Sequence, residues 1–124
     1  MELLKLQSFL LKTMIITEDI LQTTYEYLVQ IKPFNKWNLP LSRKIEFAVI
    51  NDKEVMGLYE PEPHCISISK SRHDHLDTVL KTMAHEMCHL KLYLDGKQYE
   101  LHNKDFNKLS KQVAKEFGFD YKEL

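Results

Sequence analysis

The spacing of apolar positions divides the chain into two helical blocks around a stretch of period two. Residues 2–12 have helical composition, with leucines at 3, 4, 6, 10 and 11. Thr17 is placed to cap a second helix, with Ile20, Leu21, Tyr25, Leu28 and Ile31 on its apolar side and Pro33 ending it. Phe34 to Ser42 reads as a loop held by Trp37 and punctuated by Pro40. Ile45, Phe47 and Val49 then alternate with Glu46, Ala48 and Ile50, as in a strand. Asn51-Asp52-Lys53 is turn-like, and Val55 to Tyr59 suggests a return strand. After Pro61 and Pro63, Cys65-Ile66-Ser67-Ile68-Ser69 forms a third strand candidate. From Asp74 to about Leu94 the chain reads as a long helix, apolar nearly all round and therefore buried, with Lys81 and Lys91 on its remaining polar stripe. Gly96 stops it. A last helix from about Asn103 to Phe117 carries Phe106, Leu109, Val113 and Phe117 on one face. Helices, a small antiparallel sheet and more helices make an α+β domain.

Composition narrows the classes. The chain has 124 residues, the size of one domain able to bury its own core. Its formal net charge of -1 advertises neither a nucleic-acid nor a membrane partner, so any such contact has to come from a local patch. Cys65 and Cys88 are the two cysteines, with no C-x-x-C pair, so neither a disulfide framework nor a structural zinc ribbon is expected. There is no signal-peptide pattern at Met1-Glu2-Leu3-Leu4-Lys5 and no apolar run of membrane-spanning length. An intracellular, reducing compartment follows as the expectation, with a cytoplasmic location and no membrane partner.

The chemistry concentrates in His85-Glu86-Met87-Cys88-His89. Four residues apart on a helix, His85 and His89 share one face, where both imidazoles can bind one zinc ion. Glu86 lies roughly 100° round the helix from His85. It can therefore approach a zinc-bound water without binding the metal, and act as the general base that activates it for attack on a carbonyl. Chance occurrence on a helix face is the plain alternative. It is disfavoured because buried imidazoles need partners, and a metal supplies one.

A catalytic site needs a third protein ligand. His102 is the best candidate, past Gly96 and at the start of the last helix, four residues before Phe106. Asp95 is the serious rival, six residues after His89, where an extended zincin motif places its third ligand. That geometry needs a glycine at position 92, where this chain has Leu92. Glu100 and Glu116 are weaker rivals. His73 and His75 flank Asp74 and read as solvated neighbours of a helix cap, and His64 reads as exposed at a strand entry. Cys88 is expected nearer the polar stripe as a small packing residue, and Cys65 under the sheet.

Beyond the metal motif, the chain resembles the SprT-like metallopeptidases, the family that includes Spartan. The resemblance starts at Phe34-Asn35, Leu39-Pro40 and Ile45-Glu46-Phe47. It continues through Gly57-Leu58-Tyr59, Ile66-Ser67-Ile68-Ser69 and Thr82-Met83-Ala84-His85-Glu86-Met87-Cys88-His89, and ends on His102-Asn103-Lys104-Asp105-Phe106. It thus covers residues 34–117. It implies His85, His89 and His102 as ligands of one zinc per chain and Glu86 as the general base. Asn103 stands where the family usually has glycine, and still allows a turn or helix cap.

The resemblance implies a minimal zincin over residues 1–124: a small, mainly antiparallel sheet packed on the active-site helix with flanking helices, and no C-terminal zinc ribbon. A protein or peptide substrate would add as a strand to the sheet edge. Tyr59 and Tyr99 are candidate oxyanion helpers. Relatives of the Spartan kind cleave proteins crosslinked to DNA, which brings single-stranded DNA in as a partner. Lys32, Lys36, Arg43 and Lys44, interleaved with Phe34 and Trp37, are the local support. Anchoring of Phe34 and Trp37 in the core, with the charges solvated, is favoured because the chain carries no net positive charge. Three other functions stay open: a repressor-cleaving zincin using Asp95, a non-catalytic binding module that keeps zinc for structure, and a zinc hydrolase of non-peptide substrates.

Overall fold

The computed structural model describes residues 3–5, 15–72 and 76–120. Most of the helix expected at 2–12, and His73, Asp74 and His75, lie outside them. Helix α1 spans Glu18–Leu28, and the Thr17 hydroxyl accepts from the Ile20 amide at 3.2 Å, the cap its sequence calls for. The helix closes on Val29, before Pro33, because the chain tightens into three-residue turns at Gln30 and Ile31. Ile20, Leu21, Tyr25 and Leu28 are buried, and the Tyr25 hydroxyl donates to the Pro40 carbonyl at 2.6 Å. That bond ties the Phe34–Ser42 connection to α1. Phe34 and Trp37 are buried with ring centroids 4.9 Å apart, so both aromatics of this segment belong to the core.

Strands β1 (Glu46–Ile50), β2 (Gly57–Glu60) and β3 (Cys65–Ser69) form one sheet in the order β1-β3-β2. The expectation of a mainly antiparallel sheet with β1 returning directly into β2 needs correction. β1 pairs with β3 in parallel, and β2 pairs with β3 antiparallel, Tyr59 opposite Ile66. The reason is burial. Ile66, Ser67, Ile68 and Ser69 are all buried, so β3 is apolar or satisfied on both faces and takes the centre. β2 leaves Leu58 and Glu60 exposed and suits an edge. The Asn51 turn is present, but it carries the chain past β3: the Asp52 carboxylate accepts from the Glu54 and Val55 amides, and the Asp52 amide donates to the Ser69 hydroxyl.

Helix α2 (Leu76–Leu94) runs through the core, with Met83, Ala84, Met87, Cys88 and Leu90 fully buried. It packs against the sheet, α1 and helix α3 (Lys104–Phe117). α3 presents Phe106 and Val113 inward, as its periodicity predicts, and Gly118 closes it in the left-handed conformation at φ 73°. The architecture is α+β with a small mixed sheet. No helix among the described residues is long and apolar enough to cross a membrane.

Candidate metal centre

Helix α2 sets His85 and His89 one turn apart, with their Nε2 atoms 3.1 Å from each other. Gly96, at φ 70°, then ends the helix: its amide donates to the Tyr93 carbonyl and the Lys97 amide to the Leu92 carbonyl. The chain turns back over the motif. The Asn103 side chain caps α3 by accepting from the Phe106 amide at 3.2 Å, which fixes the residue before it. That residue is His102, whose Nε2 lies 3.3 Å from that of His89. The ligand atoms of His85, His89 and His102 all fall within 4.8 Å of one another, a group that could hold a metal ion. Phe106 packs its ring 4.6–4.9 Å from the three imidazole centroids and holds them as a set.

The donor set fits a cation. Two ligands of a tetrahedral centre with metal–nitrogen bonds of about 2.0–2.1 Å stand about 3.3–3.4 Å apart, close to the two Nε2 separations. The His89 Nδ1 meets the Tyr99 backbone carbonyl in a short hydrogen bond. A carbonyl only accepts, so Nδ1 carries the proton and Nε2 keeps its lone pair for the cluster. Burial pushes the His89 pKa down; the Tyr99 carbonyl opposes this and His102 adds to it. The ring is therefore held neutral, the form a metal ligand requires.

Glu86 is 3% exposed and lines the same cleft as the three histidines. Burial pushes its carboxyl up to about 8. In metal-free protein this has a signed consequence. The folded pKa of about 8 stands above the ordinary 4.5, so stability is full below pH 4.5 and falls as pH rises towards 8. The slope is about 1.4 kcal/mol per pH unit. Glu86→Gln removes this loss. In urea titrations of chelator-treated protein, its stability advantage over the parent should grow on the order of 2 kcal/mol between pH 5 and pH 7. A constant difference would mean that Glu86 is not buried as a carboxyl.

The cleft has a volume of about 700 Å³ and runs along β2, with the three histidines, Tyr99 and Glu100 facing it. A smaller hollow of about 260 Å³ shares Gly57, His85 and Glu86 with the cleft and is otherwise lined by Met56, Thr78, Lys81 and Thr82. Tyr59 and Tyr99 both border the cleft. Tyr59 is buried and its hydroxyl is engaged by His64 Nδ1 at 2.7 Å, while Tyr99 contributes its backbone carbonyl to His89. His64 is thus half-buried and partnered, not exposed as its place beside Pro63 suggests. Cys88 is wholly buried rather than near the polar stripe, because that face of α2 packs into the core; its thiol pKa is raised by burial.

Among the rival ligands, Asp95 pairs with Lys91 at 3.0 Å and lies outside the histidine group, and Glu116 is exposed on α3. Glu100 borders the cleft. Lys36, Arg43 and Lys44 are exposed and Trp37 is buried, with its carbonyl accepting from Lys91; none of the four lines the cleft. Sequence reasoning missed the Tyr99 carbonyl, for which a side chain gives no signal. It also read Gly57 only as part of Gly57-Leu58-Tyr59, although an isolated glycine in a strand marks a close backbone approach.

The SprT-like family model matches residues 26–123. Proteins named Protein SprT-like from Staphylococcus aureus strains JH9, Newman and N315 are each 39% identical over 60 residues, which is 47% of this chain and 40% of theirs. The aligned stretch therefore spans less than half the length of these curated relatives. With the family match running through His85, Glu86, His89 and His102, the chain belongs to the SprT-like family.

Proposed function

We propose that this chain is a zinc-dependent peptidase with a minimal zincin active site. The observation that carries the proposal is the convergence of three imidazoles beside a buried glutamate in an open cleft. His85, His89 and His102 would hold one zinc ion. Zinc, when bound, polarises a carbonyl and lowers the pKa of water towards 7. Glu86 takes the proton from the attacking water and returns it to the leaving amine. The outer edge of β2, unpaired among the described residues, belongs to a strand that borders the cleft and suits a peptide added as a further strand. Tyr59 and Tyr99 remain the candidates for stabilising the oxyanion.

The carboxylate of Glu86 favours a peptidase over a binding module, since a structural site needs no base. The pairing of Asp95 with Lys91 favours His102 over the ligand set of a repressor-cleaving zincin. DNA-associated proteins are proposed substrates, with Lys36, Arg43 and Lys44 as phosphate contacts and Trp37 supporting their loop from the core. Free Cys65 and Cys88 fit a reducing, cytoplasmic compartment.

Hydrolysis of an unfolded protein such as casein tests the proposal. It should stop on chelation and return with zinc. If single-stranded DNA is a cofactor, the rate should rise with DNA at low salt, and the rise should fade as salt is added. Zinc-loaded protein that cleaves nothing, with or without DNA, would leave the binding module as the better reading.

A further inference from the structure

The three glycines of the chain divide by what they do. Gly96 and Gly118 have positive φ and open space where a side chain would stand, so the backbone requires them. Gly57 has no positive φ, and space alone requires it. A Cβ there would lie 2.9 Å from Glu86 Oε2, 2.8 Å from Thr82 Cγ2 and 3.1 Å from the Ser67 carbonyl. Ser67 cannot retreat: it sits in the central strand, opposite Ala48 on one side and Leu58 on the other. Thr82 and Glu86 are buried and one turn apart on α2. Any atom added at position 57 therefore presses on the Thr82 methyl and on the Glu86 carboxylate.

We propose that Gly57 is a positioning residue for Glu86, its missing side chain letting the β2 backbone close against the carboxylate and hold it beside the histidines. Gly57, His85 and Glu86 are the residues that line both the large cleft and the small hollow, so a side chain at position 57 would stand where the two meet Glu86. The consequence for rate rests on the peptidase reading above; the placement of the carboxylate does not.

The test is Gly57→Ala in the zinc-loaded full chain. Zinc should stay at about one per chain, because no ligand is touched. A crystal structure should show the Glu86 carboxylate displaced with the three Nε2 atoms in place. On casein, kcat should fall about tenfold to a hundredfold, the effect of misplacing a reacting group by around 1 Å, with KM changed by less than about twofold. Adding Gly57→Ala to Glu86→Gln should cost almost nothing further. If Gly57→Ala does not fold, Gly57→Ala with Thr82→Ser removes the Thr82 methyl clash and carries the same expectations. An unmoved Glu86, loss of zinc, or an equal drop in the Glu86→Gln background would overturn the proposal. Should the parent cleave nothing, the peptidase reading fails on its own. The crystallographic position of Glu86 then decides Gly57: a displaced carboxylate supports the proposal and an unmoved one sinks it.

Discussion

Glu86→Gln should lower hydrolysis at least about a hundredfold, the lower end of what a positioned general base supplies, while zinc stays bound. The two side chains have the same length and nearly the same shape, so the packing around a residue only 3% exposed is kept. The amide cannot accept the proton of the attacking water. Zinc content should not change, because the metal-capable group consists of His85, His89 and His102. His85→Ala is the informative contrast: it removes a ligand, so metal is lost and stability falls with it. A Glu86→Gln protein that cleaves as fast as the parent would refute the role given to Glu86. A variant that loses its zinc would mean that the carboxylate is a ligand.

His102→Ala should weaken zinc binding by more than about a hundredfold, since changes in outer-shell partners alone cost about 10–100-fold, and activity should vanish with the metal. His102 is exposed and stands just ahead of the Asn103 cap, outside the buried core. Its removal should therefore leave the fold intact, and circular dichroism should match the parent. Asp95→Ala should keep both zinc and activity. Its ion pair with Lys91 lies at the surface end of α2, where such a pair contributes about 0–1 kcal/mol. The opposite pattern, with Asp95 essential and His102 dispensable, would move the protein to the rival class of zincin.

What could be read before the structure follows from how local each feature is. The pairing of His85 with His89 depends only on helical period, and the Thr17 and Asn103 caps only on their own side chains. The return of His102 could be inferred because Gly96 turns the chain and a catalytic zinc site needs a third protein ligand. Strand order was not legible: alternation along Glu46–Ile50 and Gly57–Glu60 gives each strand but not its neighbour. The burial of both faces of β3 is what places it at the centre, and the sequence hides it, since Ser67 and Ser69 look like solvent-facing residues and are not. Cys88 was misplaced for a related reason, because a helix enclosed on nearly all sides leaves little polar stripe to assign it to. The Tyr99 carbonyl could not be read at all, as every residue has one. What marks it is its approach to His89, a consequence of tertiary packing.

The claim that His85, His89 and His102 hold a zinc ion is tested most directly by anomalous diffraction at the zinc edge on crystals of the zinc-loaded protein. The expected result is one anomalous peak per chain, about 2.0–2.1 Å from the Nε2 atom of each of the three histidines, with a fourth position open to the cleft. A peak coordinated by Asp95 in place of His102, two equally occupied peaks, or no peak at this cluster would contradict it.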